Sequence, residues 1–195
     1  MSSVSSLGNR AADDLAYVRQ VLDRAENFSA VPGLGGVGMG MVAIGAAVLA
    51  HGQGTIDRWL LTWVAAAVAA CAVGALTVVR KARRHGLPLD GGAARRFSRG
   101  LMPPLLLGVV LTVTAWRADS WSMLVPIWLG CYGVGVLAAG AVSTARVVPR
   151  FGMSLLVCSA IAAALPQSWH DGMMAIGFGA GHLITGEIVR RRYGG

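Results

Sequence analysis

Charged side chains are scarce in this sequence. Lys, Arg, Asp and Glu make up 13% of its 195 residues, against about 25% in an average soluble domain. Hydrophobic residues make up 55%, and a soluble domain of this length has too high a surface-to-volume ratio to bury so much apolar surface. The composition therefore excludes a soluble enzyme, a disordered chain and a secreted module held by disulfides.

Cysteine is also scarce, and the familiar catalytic motifs are missing. The chain has three cysteines, and Cys71, Cys131 and Cys158 each lie inside an apolar run. An odd number without metal-ligand spacing predicts small buried thiols rather than disulfides. The sequence contains no Walker A, G-x-S-x-G, H-E-x-x-H or C-x-x-C motif, so it offers no candidate for metal-free nucleophilic catalysis.

Long apolar runs are present instead. A helix needs about 20 apolar residues to cross a bilayer, and six runs reach or approach that length. The short third and fifth runs are expected to extend into their polar flanks or to lie close to the bilayer normal. The six predicted spans are Leu34–His51, Trp59–Val79, Leu101–Trp116, Met123–Ser143, Phe151–Leu165 and Gly172–Val189. The predicted fold is all-α: a polytopic membrane protein with six transmembrane helices in a bundle.

The chain before the first span is polar and forms a separate region. Residues 11–28 place Leu15, Val18 and Leu22 on one helical face, the pattern of an amphipathic helix. We therefore predict a cytoplasmic N-terminal region, residues 1–30, with an amphipathic helix on the membrane surface. A single transmembrane domain follows over residues 31–195, with a basic cytoplasmic loop over residues 80–100.

The basic residues predict the orientation of the chain. Of its 17 Lys and Arg residues, only Arg58 and Arg117 fall on one side of the predicted topology. The positive-inside rule then places both termini in the cytoplasm. The basic loop is expected to attract anionic lipids, whereas nucleic acid is not an expected partner. All six tryptophans lie at the predicted outer helix ends: Trp59, Trp63, Trp116, Trp121, Trp128 and Trp169.

Several short stretches resemble a known architecture. The first is Phe28-Ser29-Ala30-Val31-Pro32-Gly33, followed by Gly35, Gly36, Met39 and Gly40. The others are Arg95-Arg96-Phe97, Pro103-Pro104, Arg146 with Pro149, and Gly177-Phe178-Gly179 with His182. Together they resemble a family of small six-helix bacterial integral membrane proteins of unknown function, of the acidobacterial type. The resemblance implies the architecture and transfers no catalytic residue.

His182 is the sequence's main candidate for chemistry. It lies near the middle of the sixth span, a depth at which ionisable residues face protein or water rather than lipid. Tyr132 is level with it, and a Tyr132–His182 hydrogen bond would satisfy both groups without a ligand. Alternatively, His182 could bind the iron of a haem b, with Met41 as the opposite ligand. Gly177, Gly179 and Gly181 leave space nearby for a flat macrocycle or for a close partner helix.

Two further groupings of polar residues are weaker candidates. On the outer side, His51, His170 and Asp171 could form a metal site, with Asp57 and Asp119 also at that face; solvated loop ends are the alternative. On the inner side, Glu187 needs a cation, because a carboxylate in the last turn of a helix is unfavourable. We predict a structural ion pair of Arg146 and Glu187, with Arg190 and Arg191 as other available cations.

Small residues one turn apart suggest close helix packing. Gly36-x-x-x-Gly40 and Gly177-x-x-x-Gly181 are motifs of this kind. They could pack within the chain or form the seam of a homodimer, and packing within the chain is the favoured interpretation.

Three functions remain open after the sequence has been read. The leading hypothesis is a non-enzymatic inner-membrane protein acting as a binding or regulatory module. The second is a haem or metal protein using His182 for electron transfer or sensing. The third is a small transporter or channel with a polar path through Tyr132, His182, Thr185 and Glu187.

Overall fold

A computed structural model describes residues 14, 15, 17, 33–84, 92–141, 143 and 145–193. Of the N-terminal region over residues 1–30, it describes Asp14, Leu15 and Tyr17, which are helical and exposed. The rest of the predicted amphipathic helix lies outside the described residues, as does the segment 85–91 between the second and third spans.

Every long segment of the described chain is helical. The helices are α1 Gly33–His51, α2 Ile56–Arg84, α3 Gly92–Arg117, α4 Leu124–Gly140, α5 Val147–Ala164, α6 His170–Met174 and α7 Gly181–Arg192. A π-helix, Ala175–Ala180, joins α6 to α7, so that the sixth span is one continuous helical segment over Gln167–Arg192. Six segments are long and apolar enough to cross a membrane. This confirms the predicted helical class and the predicted number of helices long and apolar enough to be spans.

The basic segment between the second and third spans is mostly helical rather than a loop. Helix α2 continues through Arg80, Lys81, Arg83 and Arg84, and α3 already begins at Gly92. The prediction of a loop over 80–100 is therefore wrong at both ends. Lys and Arg are good helix formers, so the helical backbone continues through them. Arg80, Arg83 and Arg84 are exposed, whereas Lys81 is 8% exposed.

Pro103 and Pro104 consequently lie inside α3, whereas the predicted span Leu101–Trp116 would place them in the first turn of a shorter helix. Proline lacks a backbone N–H, so the carbonyls of Arg99 and Gly100 lose their usual helical donors. These carbonyls lie beside the basic segment that precedes Leu101.

Four spans form the centre of the bundle and two flank it. Helix α1 packs against α2 on one side and the sixth span on the other, while α4 packs against α5 and α3. Only 6% of the most apolar 18-residue window of α2, and likewise of α3, is buried within the chain, against 28% to 50% in the other four spans. Helices α2 and α3 therefore form the two flanks.

Contacts between neighbouring helices sort the helix ends into two groups. At three places the backbone near the start of one helix lies against the backbone near the end of a neighbouring helix. These contacts are Gly33 against Arg190, Gly100 against Ala139, and Gly140 against Pro149. We call this the basic end. At the opposite, tryptophan end, Trp59 near the start of α2 bonds Asp171 near the start of the sixth span. The helices are antiparallel hairpins, and Arg58 and Arg117 lie at the tryptophan end, as predicted.

Candidate functional site

The polar centre of the bundle is His182, which is 7% exposed. The Tyr132 hydroxyl lies 2.8 Å from Nε2 of His182, and Nδ1 of His182 lies 2.7 Å from the carbonyl oxygen of Phe178. Because a carbonyl can only accept, Nδ1 donates to Phe178 and Nε2 accepts from the tyrosine. The predicted Tyr132–His182 hydrogen bond is present, and both imidazole nitrogens have protein partners.

Aromatic rings surround the imidazole. Phe151 from α5 meets it edge to face, with ring centroids 4.8 Å apart. Tyr132 from α4 lies 5.4 Å away, and Phe178 from the π-helix lies 6.2 Å away with its ring nearly parallel. Three segments of the bundle therefore converge on His182, and they keep its neutral ring in an apolar, hydrogen-bonded setting.

The space that glycines were expected to leave beside His182 is filled by other helices. A methyl group placed on Gly177 would lie 2.5 Å from Cδ2 of Leu129, and one on Gly181 would lie 2.5 Å from Cε2 of Phe151. On Gly179 it would lie 2.7 Å from Cγ1 of Ile44. Of the two uses predicted for this space, a macrocycle or a close partner helix, the geometry corresponds to the second.

Met41 is not placed to be a ligand opposite His182. It is 60% exposed on the outer surface of α1, whereas the adjacent Gly40 faces the sixth span. One residue along a helix is a rotation of about 100°, and close packing through Gly40 turns Met41 outward. The predicted His182–Met41 haem site is therefore wrong in geometry, and these residues do not fit a haem.

The residues of the predicted outer metal site, His51, His170 and Asp171, do not all come together. His170 is 3% exposed, and its Nε2 lies 3.2 Å from the carbonyl oxygen of Ala162. His51 is exposed, with Nδ1 3.7 Å from Oδ2 of Asp171. Within the described ranges, no group of three or more His, Cys, Asp or Glu side chains could hold a metal ion. The predicted His51–His170–Asp171 metal site is wrong, because successive residues of a helix point in different directions.

Asp171 is instead part of a tryptophan network at the tryptophan end. Nε1 of Trp59 donates to Oδ1 of Asp171 at 2.7 Å, and the Trp59 ring stacks on Trp128 at 5.6 Å with an interplanar angle of 7°. Nε1 of Trp128 in turn donates to the Thr112 hydroxyl at 2.7 Å. This chain of contacts joins α2, the sixth span, α4 and α3, which sequence spacing alone did not reveal.

Trp63 and Trp59 differ in the hydrogen bonding of the indole N–H. This difference predicts that their Phe variants differ in stability. Trp63 is 5% exposed, and its Nε1 has no hydrogen-bond partner in the part of the chain that is described. Trp63→Phe loses packing but also removes an unpaired buried donor, so these effects partly offset one another. Trp59→Phe leaves a carboxylate oxygen without its donor, and we expect it to cost about 1–2 kcal/mol more than Trp63→Phe.

Circular dichroism of thermal unfolding in detergent measures this difference directly. The two substitutions change the same chemical groups, so each variant is the control for the other. A Trp63→Phe protein that unfolds at the same temperature as Trp59→Phe, or below it, would contradict the assigned role of the Trp59–Asp171 bond.

Glu187 does not pair with Arg146. Its carboxylate accepts from Nε and Nη2 of Arg190 at 2.7 and 2.8 Å, and from Nε of Arg191. Both cations lie three and four residues further along α7, the spacing at which side chains of one helix meet. Arg146 is exposed and lies directly before α5, away from the helix that carries Glu187. The predicted Arg146–Glu187 pair is wrong, because nearer cations on the same helix neutralise the carboxylate.

The glycine motifs serve packing within the chain. A methyl group on Gly36 would lie 2.8 Å from Cα of Gly186, and one on Gly40 would lie 2.8 Å from the carbonyl oxygen of Gly179. Helices α1 and α7 thus approach backbone to backbone. The packing role of Gly186 was not predicted from the sequence, because this residue has no partner glycine four residues away in its own helix.

The π-helix was also missed. Segments of this kind often occur at functional sites, and here it positions the Phe178 carbonyl against His182. Its only signal in the sequence is the glycine-rich run Ala175–Ala180, which is equally compatible with an α-helix. Thr185 lies beyond His182 on α7 and is partly buried, directly before the α1–α7 contact at Gly186.

The chain was compared with protein-family models, with curated protein sequences and with solved structures. No match was found in any of the three. Functional inference therefore depends on the geometry described above.

Proposed function

We propose that this chain is a non-enzymatic, multi-pass protein of the bacterial cytoplasmic membrane that acts as a binding or regulatory module. In this proposal both termini are cytoplasmic, the basic end faces the cytoplasm, and the flanking helices α2 and α3 carry the binding surfaces. The supporting observation is the unequal burial of the spans: 6% in α2 and α3 against 28% to 50% elsewhere. The central helices are occupied by one another, and the flanks are available to partners.

Helix α2 has the pattern expected of a surface that meets a second copy of the chain. Its exposed residues include Leu61, Ala65, Val68, Ala72 and Ala75. Their spacing alternates between four and three residues, which is the seam of two packed helices. Three of the five are alanine, and small residues allow the close approach on which helix association in lipid depends. We therefore assign the homodimer contact to α2 rather than to the glycine faces.

Cys71 borders this seam and supplies the test. It is the exposed one of the three cysteines, and it adjoins Ala72 at the middle of α2. We expect oxidation in native membranes to link two copies through Cys71, giving a band of doubled mass that reducing agent removes. Close helix contact in the dimer holds the two thiols within bonding distance.

A cysteine at position 73 is the matched control. Val73 lies two residues further along α2 and faces α1, where its Cγ1 would be 2.7 Å from a methyl group on Gly38. The double variant Cys71→Ser/Val73→Cys should give no linked dimer. Absence of the Cys71 dimer, or equal linkage from the two positions, would overturn the proposed contact.

A further inference from the structure

A shallow apolar groove runs between the flanking helix α3 and the central helix α4. It is lined by Pro103, Pro104 and Leu107 on one side and by Ile127, Gly130 and Val134 on the other, and its volume is about 450 Å³. Small-molecule sites range over roughly 300–1,000 Å³. The lining carries no charged side chain, so an apolar chain is the chemistry that suits it.

Basic side chains lie above this groove on the same face of α3. Pro103 and Leu107 follow Arg96 by seven and eleven residues, which is close to two and three helical turns. Arg99 lies one turn after Arg96 and one turn before Pro103. Arg96 and Arg99 are exposed, and neither forms a hydrogen bond or an ion pair with the described chain.

The depth of these residues suits a lipid headgroup. From Arg99 to Arg117 the helix rises about 27 Å, close to the roughly 30 Å thickness of the hydrocarbon core. Arg99 and Arg117 therefore mark the two boundaries of the membrane on α3. Arg96 lies one turn outside the hydrocarbon, at the level of phosphate groups.

We propose that the α3–α4 groove holds one acyl chain of an anionic phospholipid whose phosphate is bound by Arg96 and Arg99. Charge complementarity selects the headgroup, since guanidinium groups bind phosphate oxygens in a bidentate manner. The apolar groove selects a molecule with an acyl chain rather than a free phosphate. This inference rests on the proposed binding module and names the ligand of its α3 surface.

Native mass spectrometry of the full chain tests the site. Detergent micelles are loaded with equal amounts of phosphatidylglycerol and phosphatidylcholine that carry the same acyl chains. We expect the wild-type chain to retain phosphatidylglycerol preferentially. The variant Arg96→Gln/Arg99→Gln should lose on the order of 30-fold in this preference, the effect of two basic residues near an anionic lipid.

Two further variants separate this site from general attraction to a basic surface. Arg83→Gln/Arg84→Gln removes the same charge from exposed positions at the basic end of α2 and should keep the preference. Val134→Trp fills the groove and should weaken binding of both lipids. The site is overturned if the wild type shows no preference, if both double variants lose it equally, or if Val134→Trp binds lipid normally.

Failure of the lipid site can be told apart from failure of the proposed function. A cysteine placed at Asp57 should react with a membrane-impermeant thiol reagent from the periplasmic side only. Periplasmic labelling without lipid preference would refute the lipid site and leave the orientation intact. Labelling from the cytoplasmic side would refute the proposed orientation, whereas the depth of Arg96 and Arg99 relative to the lipid headgroups would be unchanged.

Discussion

Gly186→Leu should prevent normal assembly of α1 with α7. A methyl group on Gly186 would already lie 2.5 Å from the backbone nitrogen of Val37 and 2.7 Å from the carbonyl oxygen of Gly33. These atoms belong to a helix backbone and cannot move aside as a flexible side chain can. We expect the substitution to cost about 3 kcal/mol or more, at the upper end of overpacking effects, and most of the protein to aggregate on solubilisation.

Gly45→Leu is the matched control for this prediction. Gly45 lies on α1, and a methyl group there would have nothing within 4 Å. Its substitution should leave the elution profile in detergent and the unfolding temperature close to those of the wild type. If the two variants eluted and unfolded alike, α1 and α7 would not be in backbone contact.

Tyr132→Phe should produce the second largest effect. It removes the hydroxyl that lies 2.8 Å from His182 and leaves Nε2 unpaired in an apolar setting. An unsatisfied buried polar group costs about 1–3 kcal/mol, and hydrogen bonds between transmembrane helices are worth about 0.6–2 kcal/mol. We therefore expect a loss of about 1–2 kcal/mol in the free energy of unfolding.

A double-mutant cycle with His182→Phe isolates the contact. In the His182→Phe background, Tyr132→Phe should have no cost or should stabilise, because the hydroxyl has already lost its partner; the coupling should be about 1 kcal/mol. Additive effects would show that the hydrogen bond does not act as a unit.

A Soret band in wild-type protein expressed with ample haem would mean that His182 exchanges these partners for iron.

Much of the fold follows from local chemistry. The start of α1 at Gly33 and its end at His51 agree with the predicted first span to within one residue, since the apolar run and its polar flanks lie in the chain itself. A bilayer would restrict each such run to a helix, and the basic residues mark one of the two groups of helix ends. The extents of α2 and α3 were less predictable, because both helices continue through basic residues that were expected to form a loop.

The candidate site was predictable only in its centre. Tyr132 and His182 could be matched because depth along a helix is proportional to residue number. The direction in which a side chain points depends on which helix packs against which. Met41 and His170 were assigned wrongly for this reason, since each lies at a suitable depth but on an unsuitable face. Arg146 was assigned wrongly because Arg190 and Arg191 lie nearer to Glu187 on its own helix.

The sequence alone specified the six spans, their two groups of ends and the level of the buried histidine, because hydropathy, charge and helical rise are properties of single segments. Tertiary packing decided that α2 and α3 are flanks, that Gly186 holds α7 against α1 and that both nitrogens of His182 are bonded. These features depend on contacts between residues distant in the chain. Rotating a helix by the angle of one residue, about 100°, would change every one of these contacts.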